Sequence, residues 1–512
     1  MRKSLFARSE AAFANLQEIY VRKAIFMPYQ NQNSNNSHSV RNTDQNAEDD
    51  IPGLDGGYGI KPPKHSTAFA VKNKIFRATT LAVTAILVFA ATLAAAIYIN
   101  FDGKVQKNSI KMIAQPGAEG ENAASVDPYS GKPLNILVLG EDSREGEENK
   151  KLAITATEDN TEGGNSDTAM IIQLAADRSY INIVSIPRDS IVNAPACNTS
   201  KGQIPAAQRV MFNSIFAKGY NTGGDLTSAV SCTVNAVSVL TGLNIDQFIV
   251  ADFAGLKSMI DALGGVDVCI PQRLDDGNTN IHLDKGMKHL DGTVATEYAR
   301  IRHGIGDGSD IGRTTRQQYL IKKVIQEASK KNVFTQINQL YQLASAGIDA
   351  LHMSTGLAKV PTLVGLAGTL KNFDPDKIYS QTVPIKPDSA DPNRVVWTEE
   401  AASIWKKLKD GKRLTEEDSS NSSGSSDSGS SDSSDSASAS PQPAPSETSA
   451  VPQKKSTLNA QTELLEYEDG TLQDPKTGGY VDPDTGTIAD PTTGFAIGLA
   501  DKYLDLVICK TS

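Results

Sequence analysis

Leu134-Asn135-Ile136-Leu137-Val138-Leu139-Gly140, followed by Glu141-Asp142-Ser143-Arg144, is the stretch on which the fold turns. A short apolar run ending in glycine reads as a strand buried on both faces. Two runs of the same kind follow, at 168–174 (TAMIIQL) and 180–186 (YINIVSI). An acidic loop rich in Thr, Gly and Asn, residues 145–165, separates the first two. Further along, 248–252 reads as a strand, 253–263 as a helix, Gly264-Gly265 as a turn and 266–270 as a strand. That is a strand–helix–strand unit, for which a right-handed crossover is expected. Residues 225–241 and 314–330 have helical periodicity, and 377–384 reads as a late strand. Strands interleaved with helices predict an α/β fold, an α-β-α sandwich with a mixed central sheet and helices on both faces.

Working outward, residues 78–101 carry no charge over a length that spans a bilayer as a helix. Lys61, Lys64, Lys72, Lys74 and Arg77 precede them. The positive-inside rule then places 1–77, a largely disordered tail, in the cytoplasm and the rest of the chain outside. The expected order is this tail, a transmembrane helix at 78–101, a stalk-like linker at 102–133, a domain at 134–410, and a Ser/Asp/Pro-rich disordered linker at 411–455. A C-terminal tail, 456–512, repeats Asp-Pro-x-Thr-Gly from Asp474, Asp482 and Asp490; it is read as turns on a disordered segment. The cysteines Cys197, Cys232, Cys269 and Cys509 lie on the oxidising side, where disulfides persist. Cys197 with Cys232 is the favoured pair, a bridge of roughly 3–4 kcal/mol by chain entropy. A formal net charge of −10 over 512 residues speaks against a nucleic-acid binder and leaves room for a local basic pocket.

Such a pocket is suggested by Tyr298-Ala299-Arg300-Ile301-Arg302-His303 and Asp310-Ile311-Gly312-Arg313-Thr314-Thr315-Arg316-Gln317. Read as a strand, 298–302 places Arg300 and Arg302 on one face. Read as a helix, 311–328 places Arg313, Arg316 and Gln317 on one stripe. Guanidinium forks suit phosphate oxygens. Two carboxylates sit at strand ends, Asp142 after the first run and Asp167 before the second; they suit Mg²⁺ held jointly with substrate phosphate. Pro187 ends the third run and delivers Arg188 at its tip, where α/β proteins place ligands.

Asp142-Ser143-Arg144, Ser166-Asp167-Thr168, Ser185-Ile186-Pro187-Arg188-Asp189, Leu263-Gly264-Gly265-Val266-Asp267-Val268, Tyr298-Ala299-Arg300-Ile301-Arg302 and Arg313…Arg316-Gln317, in that order, resemble the LytR-CpsA-Psr family of bacterial envelope proteins. The resemblance covers about 134–330. It implies a membrane-anchored phosphotransferase that moves a glycopolymer from a polyprenyl-pyrophosphate carrier onto a peptidoglycan acceptor through a phosphodiester. It further implies that Asp142 and Asp167 hold Mg²⁺, and that Arg144, Arg188, Arg300, Arg302, Arg313 and Gln317 grip the pyrophosphate. Arg188, Arg302 and Arg313 are the expected catalytic set. The alternative is a non-catalytic polyprenyl-phosphate binder acting as envelope sensor or scaffold. Two departures stand out. The loop between the acids is long, and Met211-Phe212-Asn213 lacks the family's lysine, for which Arg209 is the candidate substitute. Asp189 is a candidate base, and His282, His289 and His303 read as surface residues.

Overall fold

The computed structural model describes residues 66–116, 131–142, 165–276, 281–301, 310–330, 345–348, 351–370, 373–415 and 455–510. Its centre is a seven-stranded mixed sheet. We number its strands β1 (Ser109–Ile110), β2 (Leu134–Asp142), β3 (Asn165–Leu174), β4 (Ile181–Ile186), β5 (Gln247–Asp252), β6 (Leu351–Ser354) and β7 (Ile378–Thr382). The spatial order is β1-β6-β5-β2-β3-β4-β7. The middle pairs β2–β3 and β3–β4 are antiparallel, whereas β2–β5 and β4–β7 are parallel. The helices are α1 (Ser66–Lys107), α2 (Phe212–Gly223), α3 (Leu226–Thr241), α4 (Phe253–Leu263), α5 (Gly292–Arg300), α6 (Asp310–Lys330), α7 (Val360–Thr369) and α8 (Ala401–Lys409).

The apolar runs are continuous because the sheet is covered on both sides, and the period of two sorts them. Leu137, Leu139, Ala169, Ile171, Val184 and Ile186 pack with α2, α3 and α8. Leu134, Ile136, Met170, Leu174, Ile181 and Ile183 pack on the opposite face with Phe101 and Val105 of α1, Leu366 of α7, and Ile321 and Ile325 of α6. One polar row interrupts the first face. Gln173 Nε2 donates to Asn135 Oδ1 at 2.8 Å, and Asn182 Nδ2 donates to Gln173 Oε1 at 3.1 Å. The row also reaches the chain leaving α8, through the carbonyls of Leu408 and Lys412. Buried amides of this kind are tolerated because each is bonded, and they fix where α8 docks.

Capping defines the helix starts. Asp225, Asp252 and Asp291 accept from the N–H groups of Ser228, Gly255 and Val294, each in the first turn of its helix. The Asp291 cap corrects the reading of 298–302 as a strand. Residues up to Arg300 belong to α5, whose Ala295, Tyr298 and Ala299 repeat at three and four and are all buried. Arg300 therefore lies in a last helical turn, and Arg302 lies outside the described residues. The expected crossover also fails. Residues 266–270 leave α4 and pair antiparallel with 286–290 in a separate ribbon, so they are not a neighbour of β5. Gly264 makes the break, at φ 80, in the left-handed region that suits a helix C-terminus. His289 then clasps the turn, with Nδ1 2.8 Å from Asp267 Oδ1 and Nε2 2.9 Å from the Gly264 carbonyl.

Helix α1 contains a segment, Lys74–Lys107, that is long and apolar enough to cross a membrane, with mean hydropathy 2.3 in its most apolar window. Among the described residues of the expected linker, Ser109–Ile110 joins the central sheet beside β6. The C-terminal residues depart furthest from expectation. Between Ser456 and Leu499 they form a six-stranded antiparallel sheet around Leu464, Val481, Ile488 and Ile497. In each repeat the aspartate carbonyl accepts from the glycine four residues on, at 2.8 Å, and the glycine (Gly478, Gly486, Gly494) has positive φ. The repeated turns are thus the corners of a sheet. A core this small does not stand alone. It is stitched to the domain by Cys269–Cys509, while Cys197–Cys232 joins the 197–199 strand to α3 as expected.

Replacing Cys197 and Cys232 together by serine is expected to lower stability by about 3 kcal/mol in urea unfolding. His289 gives a pH signature. The Asp267 carboxylate first, and the Gly264 carbonyl second, raise its pKa above the ordinary value. The stabilisation is full below the unfolded value of about 6.5 and is lost as pH rises through the folded-state value. Titration by NMR should find the His289 midpoint above that value, and His289→Gln should abolish this part of the pH dependence of stability.

Candidate functional site

The site is built where the ends of β2, β3 and β4 meet the start of α6. Strand β2 pairs with β3 from Leu134↔Leu174 to Gly140↔Thr168. There the register slips, and Glu141 faces Ser166 while Asp142 faces Asn165. Asp167 is the extra residue of this bulge. Bulges re-aim a side chain that regular pleating would commit to one face. The long loop after Asp142 poses no obstacle, because antiparallel pairing brings the chain back beside its own departure point.

Asp167 receives two guanidinium groups from two different elements. Arg188 Nη1 donates to Asp167 Oδ1 at 2.8 Å, and Arg313 Nη1 lies 3.2 Å from Oδ2. Arg313 Nη2 also reaches the Asp167 carbonyl at 3.3 Å. All three side chains are largely buried, Arg313 at 4% exposure. Pro187 ends β4 and sends Arg188 off its tip; the Arg188 carbonyl accepts from Asn213 at the start of α2. Arg313 comes from the first turn of α6.

One turn further along α6, Gln317 bridges two elements. Its Oε1 accepts from Thr168 Oγ1 at 2.9 Å, and its Nε2 donates to the Ala299 carbonyl at 3.0 Å. Arg316 donates to the Ile301 carbonyl. Helix α6 thus grips the chain as it leaves α5, immediately before Arg302. Gly140 gives Thr168 its room: a Cβ at 140 would lie 2.8 Å from Thr168 Cβ. Tyr298 beneath this junction is pushed up to about 12 by burial, so it stays neutral.

Arg188, Arg313 and Gln317 therefore gather around Asp167 and Thr168. Asp142 lies at the end of β2, on the strand paired with Asp167's own. Arg300 points to the Phe253 ring, with Cζ 4.5 Å from its centroid, a cation–π contact. Arg144, Arg302 and His303 lie outside the described residues. Arg209, the candidate substitute for the lysine missing at Met211-Phe212-Asn213, pairs with Asp388 at 2.6 Å and has φ 52. Asp189, the candidate base, accepts from Arg394 Nη1 at 2.9 Å and has Arg188 Nε at 3.6 Å. His289 pairs with Asp267 on the 266–270/286–290 ribbon, and His282 with Asp275 on a second antiparallel ribbon, 274–276 with 281–283. Arg394 was not singled out by sequence, and Thr168 was read only as part of Ser166-Asp167-Thr168, with no role of its own. Thr168 follows Asp167 directly, but its role depends on the bulge. Arg394 reaches Asp189 across 205 residues, and nothing local marks it.

Among the described residues no three of His, Cys, Asp and Glu group as a metal cage. Carboxylates on paired strand ends are hard oxygen donors, and Mg²⁺ commonly takes one or two of them with substrate phosphate completing its shell.

Residues 97–410 match the model of the LytR_cpsA_psr family. Among curated proteins, the chain is 25% identical over 323 residues to the cell wall biosynthesis protein LcpA of Corynebacterium glutamicum, covering 61% of this chain and 60% of that protein. It is 30% identical over 202 residues to the polyisoprenyl-teichoic acid–peptidoglycan teichoic acid transferase TagV of Bacillus subtilis, covering 38% of this chain and 47% of that protein. The match thus spans about half to three fifths of the length of these two relatives. A crystal structure of B. subtilis TagV aligns with a TM-score of 0.43 at 22% identity, over 55% of this chain and 98% of that one. The family match takes in β2 to β7 and the arginines around Asp167, and covers more than half of the sequence: this chain belongs to the LytR_cpsA_psr family.

Proposed function

We propose that this protein is a membrane-anchored transferase that moves a glycopolymer from a polyprenyl-pyrophosphate carrier onto peptidoglycan through a phosphodiester link. One observation carries the reading: Arg188 and Arg313, from separate elements, converge on Asp167 at the bulge beside the end of β2. The relatives' names support the substrate class, since TagV is named as a polyisoprenyl-teichoic acid–peptidoglycan transferase. Helix α1 anchors the chain, with residues 1–77 cytoplasmic and the domain extracytoplasmic.

In the reaction a hydroxyl of the acceptor attacks the phosphorus nearest the polymer. The bond from that phosphorus to the bridging oxygen breaks, and polyprenyl phosphate leaves. The hydroxyl proton passes to solvent or a base. Such a transfer asks for positioning and charge neutralisation rather than covalent help from the protein. Arg188 and Arg313 present forked donors to the phosphate oxygens. Asp167 holds both forks in register, and Gln317 fixes the start of α6 against Thr168. Arg302 and Arg144, near the ends of α5 and β2 in sequence, extend the cationic set. Asp142 and Asp167 are the residues that would hold Mg²⁺. When bound, the ion neutralises charge on the leaving phosphate.

The test uses the full-length chain in detergent with a polyprenyl-pyrophosphate saccharide as donor and peptidoglycan fragments as acceptor. Arg313→Ala should lower turnover roughly 10²- to 10³-fold, the usual cost of one charge-stabilising donor, and lower the melting temperature because Asp167 loses one of its two buried partners, while circular dichroism shows the fold retained. EDTA should abolish product, with Mg²⁺ restoring it. Full turnover in Arg313→Ala sinks the assignment. Lipid capture with no product under any metal condition supports the non-catalytic binder instead.

A further inference from the structure

Helix α6 is buried in an unusual way. From Arg313 to Leu320 every residue is buried, although the run is mostly polar: Arg313, Thr314, Thr315, Arg316, Gln317, Gln318. A helix at the edge of a domain ordinarily exposes one polar face. Here the sheet covers one side, and the C-terminal residues, beyond the family match at 97–410, cover another.

The outer contacts are specific. Lys322 pairs with Asp501, both side chains 13% exposed. Lys323 pairs with Asp505, and Tyr319 Oη donates to the other Asp505 oxygen at 3.1 Å. Tyr319 Oη also accepts from the Cys269 N–H at 3.2 Å, and Cys269 carries the disulfide to Cys509. Leu504 packs in one apolar cluster with Tyr298, Tyr319 and Leu320. At roughly 100° per residue, Tyr319 and Lys322 project about a third and a half turn away from Arg313, and Lys323 a little under a quarter turn. The C-terminal segment therefore holds the side of α6 that the phosphate-binding residues leave free.

We infer that residues 456–510 are a positioning part of the site: Asp501 and Asp505, secured by Cys269–Cys509, fix the rotation and depth of α6 so that Arg313 and Gln317 meet Asp167 and Thr168. The inference rests on the transfer reading for its kinetic consequence but not for its structural one. Neither aspartate touches substrate. A nearly buried lysine that loses its carboxylate pulls toward water, and it would take the helix with it. Small displacements of such a residue act on the rate, since misplacement by about 1 Å can cost up to 10²-fold.

The experiment compares full-length Asp505→Asn, Asp505→Glu and Asp501→Asn/Asp505→Asn with the parent. Amide hydrogen exchange over 311–320, melting temperature, and kcat and KM for the lipid donor are read on each, with Arg313→Ala in the same assay. Asp505→Asn should speed exchange over 311–320 and lower kcat about tenfold with KM little changed, and Asp505→Glu should recover most of both. The folded single variant keeps the test meaningful if the double variant melts. Unchanged exchange over 311–320 in both asparagine variants overturns the inference. Faster exchange with unchanged kcat, while Arg313→Ala is inactive, overturns it as well. If Arg313→Ala keeps its turnover, it is the transfer reading that fails, and the exchange data alone then decide whether the C-terminal segment holds α6.

Discussion

The structure depends on one carboxylate. Asp167 stands in a bulge between the two longest strands, and arginines from the tip of β4 and the head of α6 both close on it. Three largely buried charged groups are tolerable only when each is paired. Their pairing welds a sheet end to a helix that has no short covalent route to it, since Arg313 lies 146 residues beyond Asp167. In the proposed reaction the same contacts that settle the fold would prepare forked donors for a phosphate. Stability and binding thus draw on one set of side chains, and a ligand that recruits the arginines competes with an internal anion already seated between them.

Strands β2, β3, β4, β5 and β7 were legible in sequence as short apolar runs, whereas β1 and β6, two and four residues long, were not. The helices α3, α4 and α6 were legible from their periodicity. Two classes of feature were not. At 298–302 a five-residue window fits a period of two, and only the Asp291 cap and the buried positions of α5 reveal the helix. The C-terminal sheet was invisible because its strands are two to four residues long. That is too short for any alternation to register, so its glycines and prolines read as disorder when they are corners.

The site shows the same division. Asp167, Arg188, Arg313 and Gln317 could be named because they sit at the ends of recognisable elements. Their meeting point could not, since it depends on a one-residue slip between Gly140 and Glu141. Arg300, beside them in sequence, stacks over Phe253 from the last turn of α5. Arg394 was missed because its link to Asp189 joins two loops that only the finished fold brings together.

The link between Cys269 and Cys509 has a consequence in time. Its halves are separated by 240 residues. At translation rates of about 5–20 residues per second, the second thiol arrives roughly 10–50 seconds after the first. For that interval Cys269 waits unpaired, and Tyr319, Lys322 and Lys323 are made without the carboxylates that will meet them. The two faces of the sheet are complete once Lys412 and Leu414, just after α8, have docked on Asn182 and the core. Until the C-terminal segment is made, α6 lacks the Asp501 and Asp505 carboxylates that pair with Lys322 and Lys323 in the finished fold.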